Sequence, residues 1–204
     1  MSDLNENQPP EETSEYENSR VRIEIDGKID VSEEINDKKA LRHIKNVVKD
    51  YEDYLTVLNR RKSDANFCNY VSQQIIATSD QMKEIHALLI EKQQMSTWAI
   101  AERLINDFAS FIRYVEKRDY GFTTFFENPK LLEIDISQLY LIEFDIVETL
   151  KMMRERTSSF MKMVSRDYLE DIDLWMETLD RMLGRIIRLF DDRAKLIGSY
   201  ERIS

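Results

Sequence analysis

Apolar residues recur at spacings of three and four over most of the chain, which is the periodicity of one face of an α-helix. Five such stripes run from Leu41 to Leu58, Cys68 to Leu89, Ala101 to Val115, Leu139 to Val164 and Tyr168 to Phe190. The chain has four Gly and three Pro, so turns are few and the elements between them must be long. The pattern predicts an all-α fold, a bundle of four to five long antiparallel helices.

The first two stripes do not share one register, because continuing the first would place Lys62 at an apolar position. We therefore expect a bend or break near residues 60–66, and a second near 95–97. Without such breaks the segment free of Gly and Pro would form a single rod about 140 Å long. Folding back is expected in a chain with this much apolar surface to bury.

The chain is expected to have three parts. Residues 1–20 lack an apolar pattern and are predicted to be a disordered acidic tail. Residues 21–31 alternate apolar and polar side chains around an Asp-Gly pair, which predicts a short β-hairpin appendage. Residues 32–198 are predicted to form the helical bundle, with a loop at 121–130.

The net charge of −10 is unevenly distributed. Residues 1–34 hold eleven acidic and three basic side chains, a net charge of −8, so the predicted bundle is nearly neutral. Cys68 is the single cysteine, which excludes an intramolecular disulfide. No secretory h-region and no run of eighteen apolar residues is present, so a cytoplasmic protein without a membrane span is expected.

The last predicted helix changes the sign of its charge halfway along. Asp173 and Glu177 lie in its first half, and Arg181, Arg185 and Arg188 lie in its second half. Acids at a helix start and bases at its end complement the helix dipole. Such a face also complements itself when two copies lie antiparallel, with the acids of one copy meeting Arg185 and Arg188 of the other. The pattern thus favours a homo-oligomer formed through this helix.

Two alternatives from other functional classes stay open. A nucleic-acid or other polyanion site is the first, on the basic stripe formed by Lys38, Arg42, Lys45 and Lys49 together with the bases of the last helix. A metal-dependent all-α hydrolase is the second, and it requires the regions of Glu143 and Glu170 to converge in one cleft.

Phe122, Phe125 and Phe126 crowd the predicted loop. They are expected to close one end of the bundle, and the alternative is an exposed aromatic anchor for a protein partner. No nucleotide-binding or nucleophile motif occurs in the sequence, and no cofactor, metal ligand or catalytic residue is predicted. The sequence therefore favours a non-enzymatic helical protein that binds other proteins as a scaffold, adaptor or regulatory subunit, and the partner's identity stays open.

Overall fold

The computed structural model describes residues 35–200, and that part of the chain is helical. The predicted tail at 1–20 and the predicted hairpin at 21–31 lie outside the described residues. Within residues 35–200 no β-strand occurs, so the all-α prediction is confirmed there. The helices are α1 (Asp37–Val47), α2 (Val57–Glu91), α3 (Trp98–Lys117), α4 (Glu133–Ser165) and α5 (Ile172–Gly198), with a short 3-10 turn, Met95–Thr97, before α3.

The first interruption lies at residues 48–56 and not at the predicted 60–66, through which α2 is continuous. After α1 the chain folds back and carries the side chains of Tyr51 and Tyr54 into the core. Ser63 lies within the predicted break, yet it is buried in α2, where its hydroxyl accepts a hydrogen bond from the backbone N–H of Glu52 at 3.1 Å. This hydrogen bond therefore allows Ser63 to stay buried within the helix.

Helices α2 and α4 run parallel to each other, and α3 and α5 run the opposite way. The direction follows from paired contacts, because Gln74 meets Arg154 and Gln81 meets Ser158, in the same order along both helices. Around the bundle the order is α2, α3, α5, α4. The consecutive long helices α2 to α5 are therefore antiparallel, and α2 and α4 are parallel neighbours because the α3–α4 connection crosses the bundle diagonally. Helix α1 departs from the predicted antiparallel order, because it runs in the same direction as α4, with Asp37 near Ser137 and His43 near Glu148.

That connection, residues 118–132, closes one end of the bundle. Phe125 and Phe126 are buried beneath it. The Thr123 hydroxyl donates to the carbonyl of Ile197 at 2.5 Å, which fixes the connection to the last turn of α5. Gly198 permits this contact, because an ideal Cβ there would lie 3.0 Å from the carbonyl oxygen of Tyr120. We call this region, with the start of α2 and of α4, the closed end.

Helix α1 lies outside the four long helices and packs against α4. Its Ala40 and Ile44 are fully buried in the contact. The Asn36 side chain accepts a hydrogen bond from the backbone of Lys39 at 3.0 Å and so caps the helix start. None of the helices in the described part of the chain is both long and apolar enough to cross a membrane.

Candidate functional site

A network of buried charged and polar side chains joins α2, α4 and α5. The Arg193 guanidinium donates from Nε to Glu143 Oε1 at 2.8 Å and from Nη2 to Asp64 Oδ1 at 2.7 Å. The hydroxyl groups of Tyr54 and Tyr120 accept from the same guanidinium at 3.0 and 2.8 Å. Arg193 and Glu143 have no exposed surface. Buried ions are tolerated only when they are paired and hydrogen-bonded, as these are.

The carboxylate of Glu143 is fully engaged within the network. It accepts hydrogen bonds from the hydroxyl groups of Tyr51 and Tyr54 as well as from Arg193. Burial raises the pKa of Glu143, and the neighbouring guanidinium and the two hydroxyl groups oppose that rise. Burial also disfavours the Arg193 cation, but the surrounding Tyr120, Tyr54 and carboxylate groups raise its pKa well above the usual value. The guanidinium therefore stays charged.

Cys68 lies at the edge of this network and is not suited to nucleophilic chemistry. Its Sγ is 3.6 Å from the Tyr120 hydroxyl, and the side chain is buried. Burial raises the pKa of the thiol to about 11. A thiol nucleophile needs a lowered pKa and access to a substrate, so Cys68 contributes packing.

Arg60 is a second fully buried arginine, and it holds the closed end together. Its guanidinium donates to the backbone carbonyls of Tyr54 at 2.6 Å, Phe125 at 2.8 Å and Asn128 at 2.6 Å. A longer contact of 3.4 Å reaches the carbonyl of Leu55. One side chain of α2 thus ties the 48–56 segment to the α3–α4 connection.

The hydrolase alternative does not have the geometry it requires. Glu143 is buried with its oxygens hydrogen-bonded, whereas Glu170 is exposed beyond the far end of α4. Glu143 lies 22 residues before the end of α4, a rise of about 33 Å, and Glu170 follows that end. No group of three or more potential ligands among the described residues is arranged to hold a metal ion. The buried network is therefore best understood as a structural element of the core.

Sequence reasoning missed this network, although a signal was present. Arg193 continues the apolar seam of α5 at the spacing set by Ile186, Phe190 and Ile197. As a basic residue near the end of α5, it also falls among the bases of the last helix that the polyanion alternative invokes. Glu143 on α4, and Arg60 and Asp64 on α2, also occupy seam positions. Charged residues in the seams of three helices predict mutual pairing in the core.

The structure separates the charged residues predicted on the last helix. Asp173, Glu177, Arg181 and Arg188 are exposed on α5. Arg185 is half-buried, and its Nη2 lies 3.8 Å from a carboxylate oxygen of Asp145 on α4. Arg185 is therefore directed towards its own chain and is poorly placed to meet another copy.

The basic stripe predicted on the first helix is exposed but partly neutralised. Lys38, Arg42, Lys45 and Lys49 all lie on the solvent side of α1 or just after it. Lys45 Nζ is 4.0 Å from a carboxylate oxygen of Asp53.

The three phenylalanines of the connection have different environments. Phe125 and Phe126 pack edge to face in the core, with ring centroids 5.3 Å apart. Phe122 is 97% exposed. The expected closure of the bundle end holds for Phe125 and Phe126, and these two residues are not available to a partner. Of the three phenylalanines, only Phe122 has the exposure that the alternative of an aromatic anchor requires.

Other large apolar side chains are also exposed at the closed end, and the sequence pattern did not predict them. Leu58 is 90% exposed at the start of α2. Leu55, Leu132 and Ile134 are each more than half exposed. These residues lie at the same end because Arg60 links the 48–56 segment to the carbonyls of Phe125 and Asn128 in the connection. The backbone N–H of Leu132, at the end of the connection, donates to the Tyr200 hydroxyl. We call these five residues, Leu55, Leu58, Phe122, Leu132 and Ile134, the apolar end.

A groove of about 390 Å³ lies between α3 and α5, the loosely packed helix pair of the bundle. Its walls are mainly apolar and its rim is acidic. The lining residues are Asp107, Ser110, Phe111, Tyr114, Asp180, Leu183, Gly184, Ile187 and Asp191.

Comparisons with models of protein families, with curated proteins and with solved structures found no match. The surfaces described above therefore have to be interpreted from their own geometry.

Proposed function

We propose that this protein acts by binding other proteins, as a scaffold, adaptor or regulatory subunit without chemistry of its own, and that it also self-associates. The observation that supports protein binding is the apolar end. Several large apolar side chains exposed at the same end of a protein are typical of interaction sites. Phe122 and Leu58 expose nearly their whole side chains there.

The framework beneath the apolar end favours binding. Arg60 fixes the backbone of both segments that carry Leu55 and Phe122, through carbonyls of Leu55, Phe125 and Asn128. The Thr124 N–H donates to the carbonyl of Tyr200 at 2.6 Å, which adds a second tie. A surface whose backbone is already ordered loses less conformational entropy when a partner binds. The partner expected here presents apolar side chains to this ordered surface.

The buried network supports the non-enzymatic part of the proposal. Glu143 and Arg193 both have pKa values raised from the usual ones, and they bind each other and neighbouring hydroxyl groups. Perturbed groups indicate catalysis when they line a cleft, and these two have no exposed surface.

The test is site-specific photo-crosslinking of the full chain in its source cells. A photoreactive residue replaces Leu58, Phe122 or, as the control, Glu84, which is exposed on α2 away from the closed end. We expect positions 58 and 122 to give the same crosslinked protein, position 84 not to give it, and Leu58→Asp to abolish the product at position 122. The same products at position 84, or none at 58 and 122, would overturn the proposal.

The polyanion alternative has narrower support. The basic stripe on α1 is exposed, as this alternative requires. Arg193 is buried and Arg185 faces Asp145, so the bases of α5 do not extend that stripe. Binding of duplex or single-stranded DNA that falls steeply with salt and is lost in Arg42→Glu would support this alternative. Absence of binding at low salt removes it.

A further inference from the structure

A glycine lies in the middle of α5 without a reason within the chain. Gly184 is twelve residues after the start of the helix, where glycine costs roughly 1 kcal/mol relative to alanine. An ideal Cβ at this position would meet one atom, Arg188 Nη1, at 3.7 Å, which is an ordinary contact. The residue is therefore not required by packing inside the protomer. Glycine at such a place allows another backbone to approach closely.

Gly184 lines the groove between α3 and α5. Phe111 and Leu183, which are almost fully buried, form its apolar floor, and the partly exposed Ile187 borders it. The groove therefore combines a helix backbone with no side chain at position 184 and an apolar floor. A groove of this kind accommodates the ridge of a second helix.

The charges on this face are arranged symmetrically about Gly184. At roughly 100° per residue, positions 173, 177, 180, 188, 191 and 195 all lie within about 40° of Gly184 around the helix. Asp180 lies four residues before it and Arg188 four after. Asp173 lies eleven residues before it and Lys195 eleven after.

We propose that a second copy of this chain docks here, its α5 antiparallel to the first and the two-fold axis passing at Gly184. Residues equally far from the axis then face each other, so Asp180 meets Arg188 of the partner subunit and Asp173 meets Lys195 of the partner subunit. Each pair forms twice, as a two-fold interface requires. The proposal rests on the self-association in the proposed function and specifies its surface.

Neighbouring charges compete with this arrangement at several positions. Asp180 Oδ2 accepts from Arg103 at 3.1 Å, and Lys195 Nζ donates to Asp192 at 3.2 Å. The Asp180 and Lys195 side chains are both more exposed than that of Arg185, so they can still reach a second copy. Glu177 faces a like charge, Asp191 of the partner subunit, at seven residues from the axis. Within its own chain Asp191 accepts a hydrogen bond from the Tyr114 hydroxyl at 2.7 Å. This bond directs the Asp191 carboxylate towards α3.

The axis differs from the one that the charge pattern first suggested. Pairing of Asp173 and Glu177 with Arg185 and Arg188 would centre the dimer near Arg181. That register requires Arg185 to reach the partner subunit, but Arg185 is directed towards Asp145 of its own chain. It also places the Arg181 side chains of the two copies next to each other. Moving the axis to Gly184 removes both conflicts.

The first experiment is light scattering after size exclusion, on the full chain over a range of concentrations. We expect the wild type to be a dimer that weakens with salt. Arg188→Glu alone and Asp180→Lys alone should each weaken dimerisation at least about tenfold, because each creates two like-charge pairs. Mixed in equal amounts, the two variants should form a heterodimer of about wild-type affinity, since both pairs are then complementary again.

A second variant separates dimerisation from folding. Gly184→Leu places a side chain on the axis, and we expect it to be monomeric with unchanged helicity, because the site is open within the protomer. A dimer that survives Gly184→Leu, or a mixture that stays monomeric, would overturn the proposal.

The closing control distinguishes this inference from the proposed function. Leu58→Asp should leave the dimer intact, because the apolar end lies outside the groove. A monomeric wild type that still gives the crosslinks at positions 58 and 122 overturns the dimer and leaves protein binding at the apolar end in place. A dimer lost in Leu58→Asp but not in Gly184→Leu assigns self-association to the apolar end instead.

Discussion

The Nε atom of Arg193 on α5 donates to Oε1 of Glu143 on α4 across 2.8 Å, and neither side chain has any exposed surface. The same guanidinium reaches Asp64 on α2 at 2.7 Å. Three of the four long helices are therefore held in one register by a single cation. Apolar seams alone tolerate sliding by a turn, whereas a buried charge out of register would lose its partners.

Replacing this cation should be strongly destabilising. We expect Arg193→Met to lower the free energy of unfolding by roughly 3–5 kcal/mol, because Glu143 and Asp64 would stay buried without a counter-charge. Urea unfolding followed by circular dichroism measures the change. Arg181→Met is the matched control, because Arg181 is exposed on α5 and takes no part in the proposed dimer pairs, and we expect it to stay within about 0.5 kcal/mol of wild type. Equal effects of the two variants would contradict a central role for the buried pair.

The closed end offers a second matched comparison. Phe125 is almost fully buried and Phe122 is 97% exposed, three residues apart in the same connection. Phe125→Ala should cost about 3–5 kcal/mol of stability through lost burial and a cavity. Phe122→Ala should change stability by less than about 0.5 kcal/mol. Thermal unfolding of both variants tests this difference, and similar melting temperatures would show that the connection does not close the core.

Two glycines of α5 should respond to alanine in opposite ways. At Gly198 the new Cβ would lie 3.0 Å from the Tyr120 carbonyl, so α5 and the connection would have to move apart. We expect Gly198→Ala to cost about 1–3 kcal/mol. Gly184→Ala meets no obstacle and should raise the stability of the monomer by up to about 1 kcal/mol. Denaturant midpoints at low protein concentration measure both, and a stabilising Gly198→Ala would contradict the close approach.

The sequence predicts the helices well because their apolar stripes are long. The stripe of α3 locates that helix almost completely, whereas the stripe of α5 starts four residues before the helix and stops eight residues before its end. The break between α1 and α2 was misplaced because the apolar pattern passes through Tyr51 without interruption. Tyr51 and Tyr54 are apolar enough to continue a stripe, yet their hydroxyl groups donate to Glu143, which lies 92 residues beyond Tyr51. A periodicity measured along one segment carries no information about a partner on another helix.

The exposure of residues on the candidate surfaces was predictable from the sequence, but their contacts with other helices were not. Exposure of Asp173, Glu177 and Arg188 followed from their position opposite the seam of α5. The direction of Arg185 did not, because it depends on Asp145 of a neighbouring helix. The diagonal path of the α3–α4 connection also decides which phenylalanines are buried, and that path follows from the order of helices around the bundle rather than from local sequence.

Alkaline pH should unfold the protein cooperatively. Burial raises the pKa of Tyr51, Tyr54, Tyr120 and Tyr140 well above the usual value near 10, so their phenols are neutral in the native state. In the unfolded chain they ionise near pH 10. The unfolded state then binds fewer protons than the native state, so stability is fully present below pH 10 and falls as pH rises above it.

Four such groups together should remove about 6 kcal/mol by pH 11, comparable to the whole stability of a typical domain. We therefore expect tyrosinate absorbance at 295 nm and loss of helical circular dichroism to follow one steep transition between about pH 10 and 12. Repeating the titration in strong denaturant gives the control, a broad ionisation near pH 10. Full tyrosine ionisation near pH 10 with helicity retained would contradict the burial of these phenols around Glu143 and Arg193.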